Sequence, residues 1–392
     1  MQNVYIVAAK RTPLGSFGGS LSSVSATQLG ATAVKSAVTS SGIPVDQIQE
    51  IFMGQVVQAN AGQAPARQVA LNAGLKNTTP ATTINKVCAS GMKAVMFGAQ
   101  SIMLGENHVI VAGGMENMSS IPFYLPKARY GYGYGNSELV DGLVRDGLAN
   151  VYDGQAMGCF ADATATKYEI TREEQDAFAI QSYKRTASAW EAGKFDSEIA
   201  GVEVKDRKGN INLISHDEEY KNVMFEKIPT LRPVFTKEGT VTAANASTIN
   251  DGAAALVLAD EATVKSLGLQ PLARVVAYAD GAHEPEWFTT APAIAAEKAL
   301  KRAGLTINDI DFFEVNEAFA VVTLAFIKHF GLSQDKVNIH GGAVSMGHPL
   351  GCSGARILTT LTSVLTQNNG KYGMAAICNG GGGASAMIIE RV

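Results

Sequence analysis

The sequence predicts an α/β protein made of two copies of one helix-covered unit, the first copy interrupted by a long insertion. Three observations predict it. Motifs recur about 262 residues apart, each copy alternates helix and strand patterns, and two similar closing strands lie only 131 residues apart. The recurring pairs are GIPVDQIQEIFMG from Gly42 with GLTINDIDFFEVN from Gly304, CASG ending at Gly91 with GCSG ending at Gly354, and VIVAGG from Val109 with AAICNGG from Ala375. Recurrence in order at a near-constant offset marks a duplicated unit.

Taken along the chain, the apolar runs Val4 to Ala9, Val109 to Ala112, Val275 to Ala279 and Ala375 to Cys378 are short enough to be strands covered on both faces. In the first copy Leu29, Ala33 and Ala37 mark one helix face that Gly42 stops; in the second, Pro292 opens a helix that Gly304 stops. AAALVLAD from Ala253 and ASAMIIE from Ala384 read as the closing strands, so an insertion separates Gly114 from Ala253. Thr171 and Glu174 form a capping box there, at the start of a helix whose expected apolar face is Ala177, Ile180, Tyr183, Ala187 and Trp190. Tyr130, Tyr132 and Tyr134 alternate with glycine, either as a flexible turn or as an aromatic loop that packs on another subunit. The expected division is 1–118 as the first half, completed by 250–269; 119–249 as an inserted loop domain; and 270–392 as the second half.

Composition narrows the function. The 392 residues are 46% hydrophobic and 17% charged, with a net charge of −4. That balance gives a compact globule with no broad basic face for nucleic acid or anionic membrane. No apolar run is expected to reach membrane-spanning length, and the first residues lack the zones of a secretory or organelle leader. Cys88, Cys159, Cys352 and Cys378 have no metal-ligand spacing and read as reduced thiols, which makes the cytoplasm the expected location.

Four stretches could carry chemistry. In NKVCASGMK, Cys88 falls between a strand and a helix, where unpaired N–H groups and the helix dipole would favour thiolate; a small buried hydrophobe is the plain alternative. NIHGGAVSMGHPLGCSGAR places His348 between Gly347 and Pro349, about 260 residues after Cys88, so the pseudo-symmetry of the copies would bring it to the thiol as a base. His340, earlier in that stretch, is expected to cap or span the loop. ICNGGGGASA ends a strand on Cys378 before four glycines that leave backbone N–H groups open to an oxyanion. In FFEVNEAFA, Asn316 either orients a water or caps a helix beginning at Glu317.

With NKVCASGMKA, ANASTINDGAAALVL, EVNEAF, GGAVSMGHPLGCSGARI and CNGGGGASAMII in order, the chain resembles the thiolases over essentially its whole length, most of all their short-chain acetoacetyl-CoA group. The resemblance implies the thiolase fold: five layers, with mixed sheets in duplicated α/β halves and an inserted loop domain. It implies acetyl-CoA C-acetyltransferase activity, joining two acetyl-CoA into acetoacetyl-CoA and CoA or running in reverse, with no cofactor required. Cys88 then matches the acetyl-accepting nucleophile, His348 its activating base and Cys378 the acid/base at the methyl carbon. Asn316 matches the residue that, with His348, holds one oxyanion through a water; the N–H groups of Cys88 and Gly380 match the other hole. Ser247, Phe235, Met157, Ala318, Phe319 and Phe288 match substrate or CoA contacts, and Lys221 is a candidate for the nucleotide end. Tyr183 with the carbonyls of Ala243, Ala244, Ala246 and Val344 matches an activating K⁺ site. The Tyr/Gly loop resembles one that joins two dimers into a homotetramer. Ala156 stands where relatives carry a histidine, and Thr289 where the 2-methyl-tolerant type carries proline. The rival readings are a broad-range degradative 3-ketoacyl-CoA thiolase, a fatty-acid condensing synthase, a non-catalytic thiolase-like lipid carrier and a cysteine hydrolase.

Overall fold

The central strands of the core are largely apolar because both of their faces are covered, as in Val109–Asn117 and Asn250–Asp260, which are buried throughout. The computed structural model describes residues 2–392. The first half supplies β1 (Val4–Arg11), the short β2 (Gly15–Ser16), α1 (Ala26–Ser41), β3 (Glu50–Gly54), α2 (Pro65–Asn72), β4 (Ala81–Ile84), α3 (Ser90–Leu104) and β5 (Val109–Asn117). The stretch that follows carries two small hairpins, β6 (Phe123–Tyr124) with β7 (Val140–Asp141) and β8 (Val202–Lys205) with β9 (Ile211–Ile214), and between them α4 (Met157–Lys167) and α5 (Arg172–Glu191). The chain returns through β10 (Asn250–Asp260) and α6 (Glu261–Ser266). The second half is β11 (Ala273–Ala282), α7 (Ala291–Ala303), β12 (Phe312–Val315), α8 (Ala320–Phe330), α9 (Ala343–Met346), α10 (Leu350–Gln367), β13 (Tyr372–Asn379) and β14 (Gly383–Arg391).

One mixed path of strands runs β12-β13-β14-β11-β1-β10-β5-β3-β4, with β2 added on β10. The two halves meet at β1 and β11 through only two residue pairs, Tyr5 with Arg274 and Ile6 with Ala273. The predicted pair of sheets is therefore a single path with a narrow seam. Helices α1 and α2 cover the outer face of the first half, α7 and α8 that of the second, and α3 and α10 fill the space between, packing on strands of both halves. The result is five layers, α-β-α-β-α.

The repeated CASG and GCSG motifs lie where the two inner helices cross. A Cβ on Gly91 would lie 2.8 Å from the Ala355 nitrogen, and one on Gly354 would lie 2.4 Å from the Met92 nitrogen. Both copies need glycine because each helix backbone touches the other. Val87–Leu104, which includes α3, is the one described segment long and apolar enough to cross a membrane, contrary to the expectation that no run would reach that length. Its apolarity comes from burial between the two halves, which covers most of the helix and leaves Phe97 and Leu104 exposed.

Local signals behave as anticipated. Gly42 and Gly304 end α1 and α7 in left-handed conformation, and Thr171 caps α5 with its reciprocal bond to Glu174. The face of α5 differs. Ala177 and Ala187 are exposed, while Gln175, Asp176, Ser182 and Thr186 are buried beside Tyr183 and Trp190. Phe178, Ala179 and Ala189 are buried with them, and α5 packs on α8 and α9, so apolar packing and hydrogen bonding together select its inner face. The inserted stretch is tied down by Arg11, which is fully buried and pairs with Glu198 at 2.5 Å and Asp217 at 2.7 Å.

Candidate active site

The crossing of α3 and α10 sets their N-termini side by side, and the candidate side chains gather there. Cys88 follows Val87, a β-branched residue held at φ 46°, and lies just ahead of the α3 N-cap, Ala89. Such a backbone persists only where neighbours hold it, and here they do. The Lys86 N–H donates to Ser90 Oγ at 2.8 Å, Ser90 Oγ donates to the Val87 carbonyl at 2.6 Å, and the Val87 N–H donates to Asn85 Oδ1 at 2.9 Å.

Cys88 lines a cavity of about 350 Å³ with His348, Gly380, Met157, Phe235, Ser247, Phe288, Ala318 and Phe319. Roomier grooves along α5 and α1 hold none of the catalytic candidates. A more open pocket shares Phe235, Ala246 and Ser247 with the cavity and is bordered by Ser16, Glu219 and Asn222. Ser247 Oγ donates to the Ala318 carbonyl at 2.8 Å, which leaves its lone pairs free to accept from an amide. Phe235 stands edge-on to Phe319 and needs Gly158, because a Cβ there would sit 2.1 Å from its ring.

His348 is buried, with its N–H donating to Asn250 Oδ1 at 3.0 Å. Its Nδ1 lies 2.6 Å from Ser353 Oγ, and that hydroxyl donates to the Pro349 carbonyl at 2.9 Å. A serine has one hydrogen to give, so Nδ1 carries the imidazole proton and Nε2 keeps its lone pair. Burial, aided by Arg356, pushes His348 down to about 3. The ring is a neutral base.

The Cys88 thiol differs from expectation. Burial pushes it up to about 12, although the N–H groups of Gly380 and of Cys88 itself reach the sulfur and pull the other way. The helix terminus does not produce a resting thiolate, because desolvation of the anion outweighs a few aligned dipoles. Cys378 is fully buried at the end of β13 against Phe160, Phe288, Ala318 and Val322. Burial and the nearby Cys88 sulfur raise its thiol well above the ordinary range. It stands behind the cavity wall, within electrostatic reach of Cys88.

Asn316 also departs from one expectation. The helix after it starts at Ala320, so Asn316 caps nothing. Its amide nitrogen lies 3.5 and 3.4 Å from the two ring nitrogens of His348, a contact over the ring, and its buried Oδ1 accepts no hydrogen bond from the described residues. Lys221 is exposed and borders neither pocket; its ammonium lies over the Tyr220 ring. The chain turns there so that Glu219 and Asn222 face the outer pocket. His340 bonds Gln367 at 3.0 Å, outside the cavity. Tyr183 packs on Val344, and the carbonyls of Ala243, Ala244 and Ala246 accept no hydrogen bond from the described residues.

Sequence reading missed several supporting residues. Glu116 is buried and accepts from the N–H groups of Val56, Val57 and Gly351, which holds the start of α10 beside β3. Burial pushes its carboxyl up to about 7 against those three bonds. Ser353 and Asn250, which orient His348, lie inside motifs where nothing local marks them. Only a partner far along the chain reveals such a role.

The arrangement offers a thiol, a base with a fixed lone pair, a second thiol and backbone N–H donors around one small cavity. These are the parts for acyl transfer followed by proton abstraction. The family models of the thiolase N-terminal and C-terminal domains match residues 4–262 and 269–391. An acetyl-CoA acetyltransferase of Schizosaccharomyces pombe is 55% identical over 99% of both chains. The cytosolic acetyl-CoA acetyltransferase ERG10 of Gibberella zeae is 52% identical, covering 99% of this chain and 98% of its own. Among solved structures, the Acat5 thiolase of Ascaris suum in complex with coenzyme A superposes with a TM-score of 0.95 at 46% identity, over all of both chains.

Proposed function

This chain belongs to the thiolase family, and from that premise we propose that it is an acetyl-CoA acetyltransferase working through an acetyl group on Cys88. The observation that carries the reading is the convergence of Cys88, His348 and the Gly380 N–H on one cavity, with Cys378 behind it.

The geometry suggests the following proton inventory. As the Cys88 sulfur attacks the thioester carbonyl, its proton passes to Nε2 of His348, and the N–H groups of Cys88 and Gly380 receive the oxyanion. Collapse breaks the carbonyl–sulfur bond to CoA, and Cys378 protonates the leaving thiolate. Burial suits Cys378 to this, since it holds a proton to give. It is left as a thiolate, which takes a proton from the methyl of a second acetyl-CoA. The resulting carbanion attacks acetyl-Cys88, with its own thioester oxygen held near His348 and Asn316. Cys88 departs and recovers its proton from His348, so thiolysis is the same path reversed. Losing an oxyanion donor costs on the order of 3 kcal/mol of barrier.

Ser247, Phe235, Met157, Ala318, Phe319 and Phe288 are assigned to the acyl and pantetheine ends, by their place in the cavity wall. The nucleotide end of CoA would leave through the outer pocket, where Glu219 and Asn222 and not Lys221 supply the lining. The carbonyls of Ala243, Ala244 and Ala246, which accept no hydrogen bond from the described residues, suit a weakly hydrated monovalent cation, and K⁺ held there would stiffen the loop bearing Ser247. Equal rates in K⁺ and Na⁺ would count against that cation. Cytoplasmic location and a dimer of dimers complete the reading.

Two measurements test the whole. Incubation with acetyl-CoA should add one acetyl mass at Cys88, whereas a carrier gains none and a hydrolase releases acetate. Thiolysis should favour acetoacetyl-CoA over 3-ketodecanoyl-CoA; preference for the long chain would replace the reading with a broad-range degradative thiolase.

A further inference from the structure

The oxyanion site around Cys88 is built from both halves of the chain, since the Gly380 N–H comes from the second and the thiol from the first. Its geometry therefore depends on how the halves are fastened. Between β1 and β11 the fastening is two residue pairs wide. A second fastening lies beside the nucleophile. Lys86, two residues before Cys88, reaches across the seam to Asp280 on β11 at 2.5 Å, to Ser385 Oγ on β14 at 2.7 Å and to the Ala384 carbonyl at 3.0 Å. Ala384 is the ladder partner of Cys378, and Gly380 lies in the turn joining the same two strands. Ser385 Oγ in turn donates to Asp280 at 2.7 Å.

We propose that Lys86 is a positioning residue for the acyl transfer, a clamp that fixes the strained Cys88 loop against the strand pair carrying Cys378 and Gly380. The proposal rests on the acetyltransferase reading above. The loop needs such an anchor because Val87 is held at φ 46° and the loop's other side-chain hydrogen bonds, those within residues 85 to 90 and the one from the Asn85 amide to the Val56 carbonyl at 3.1 Å, stay in the first half. Besides the Gly380 N–H on the Cys88 sulfur, the Lys86 ammonium is what ties that stretch to the second half. Its three partners differ in kind, a carboxylate, a hydroxyl and a carbonyl, so they fix a position and not merely a charge. Burial pushes the Asp280 carboxyl up, but bonds from Lys86, Lys93 and Ser385 outweigh it and bring it to about 2. The carboxylate thus stays ionised near neutral pH, while burial lowers the Lys86 ammonium against the pull of Asp280.

Lys93 provides the control. It reaches the other Asp280 oxygen at 2.6 Å from within α3, so it shares the carboxylate without touching the Cys88 loop. Acetylation of Cys88 at saturating acetyl-CoA, followed by mass spectrometry in single turnover, is the readout, with melting temperature measured alongside. Lys86→Met should slow acetylation by roughly 10- to 100-fold, the scale of a misplacement near 1 Å, and Lys86→Arg should restore part of it. Lys93→Met should stay within about threefold of the parent. Equal rates in Lys86→Met and the parent overturn the proposal, as does an equal loss in Lys93→Met or a loss matched by the fraction unfolded. If Lys86→Met does not fold, Ser385→Ala carries the test, with slowing of about threefold or more expected and an unchanged rate overturning it. A parent enzyme that forms no acetyl-Cys88 defeats instead the acetyltransferase reading.

Discussion

Cys88 and His348 line one cavity, and both are neutral. The thiol is held near 12 and the imidazole near 3, both chiefly by burial. An ordinary histidine near 6.5 would gain a proton on acidification and cease to act as a base. His348 in the folded chain keeps its lone pair through that window. The single-turnover rate of Cys88 acetylation should therefore be flat between about pH 6 and 8, with no limb at the ordinary histidine value. A limb there would show a thiolate–imidazolium pair. The same shift has a stability cost: the unfolded chain binds a proton between about 3 and 6.5 that the folded chain refuses, so stability falls as pH drops through this range. The residues themselves were legible, since a cysteine at a strand end and a histidine between glycine and proline serve no obvious packing need. Their protonation was not, because it is set by burial and by Ser353, Arg356 and Gly380.

Elements were legible where short-range rules apply. The caps at Gly42, Gly304 and Thr171 follow from backbone chemistry within a few residues. The buried face of α5 was not, since its polar part is chosen by partners elsewhere, such as Glu317 and Ser345 for Ser182. The α3–α10 crossing gives the sharpest test at this scale. Gly91→Ala would drive a methyl to within 2.8 Å of the Ala355 nitrogen, and backbone cannot step aside as a side chain does. A loss of about 1–3 kcal/mol is expected from such overpacking, seen as a lower denaturation midpoint with unchanged slope. Gly133→Ala, where nothing lies within 4 Å, should leave the midpoint in place. Equal effects would mean that the inner helices tolerate separation.

For the whole molecule, the Tyr/Gly loop is the feature left without an internal role. Tyr130 and Tyr134 are 91% and 111% exposed, and Phe123, Leu125 and Leu139 stand exposed nearby. An apolar cluster of this kind on a folded chain calls for a partner, and a second dimer is the one proposed. Replacing Tyr130 and Tyr134 by Ser should convert tetramers to dimers in light scattering while acetylation of Cys88 continues. A tetramer unchanged by both replacements would place the contact elsewhere.

The sequence by itself determined the duplication, the α/β layering, the long stretch between β5 and β10, and the three candidate side chains that the fold gathers. Each of these is written in periodicity, in repeated motifs or in residue types out of place. Only the tertiary structure decided that the sheets join through a narrow seam, that both thiols rest protonated, and that Lys86 reaches the strands of the second half. Those outcomes depend on burial and on contacts between residues hundreds of positions apart, where the electrostatic environment is a property of the packed molecule and of no local stretch.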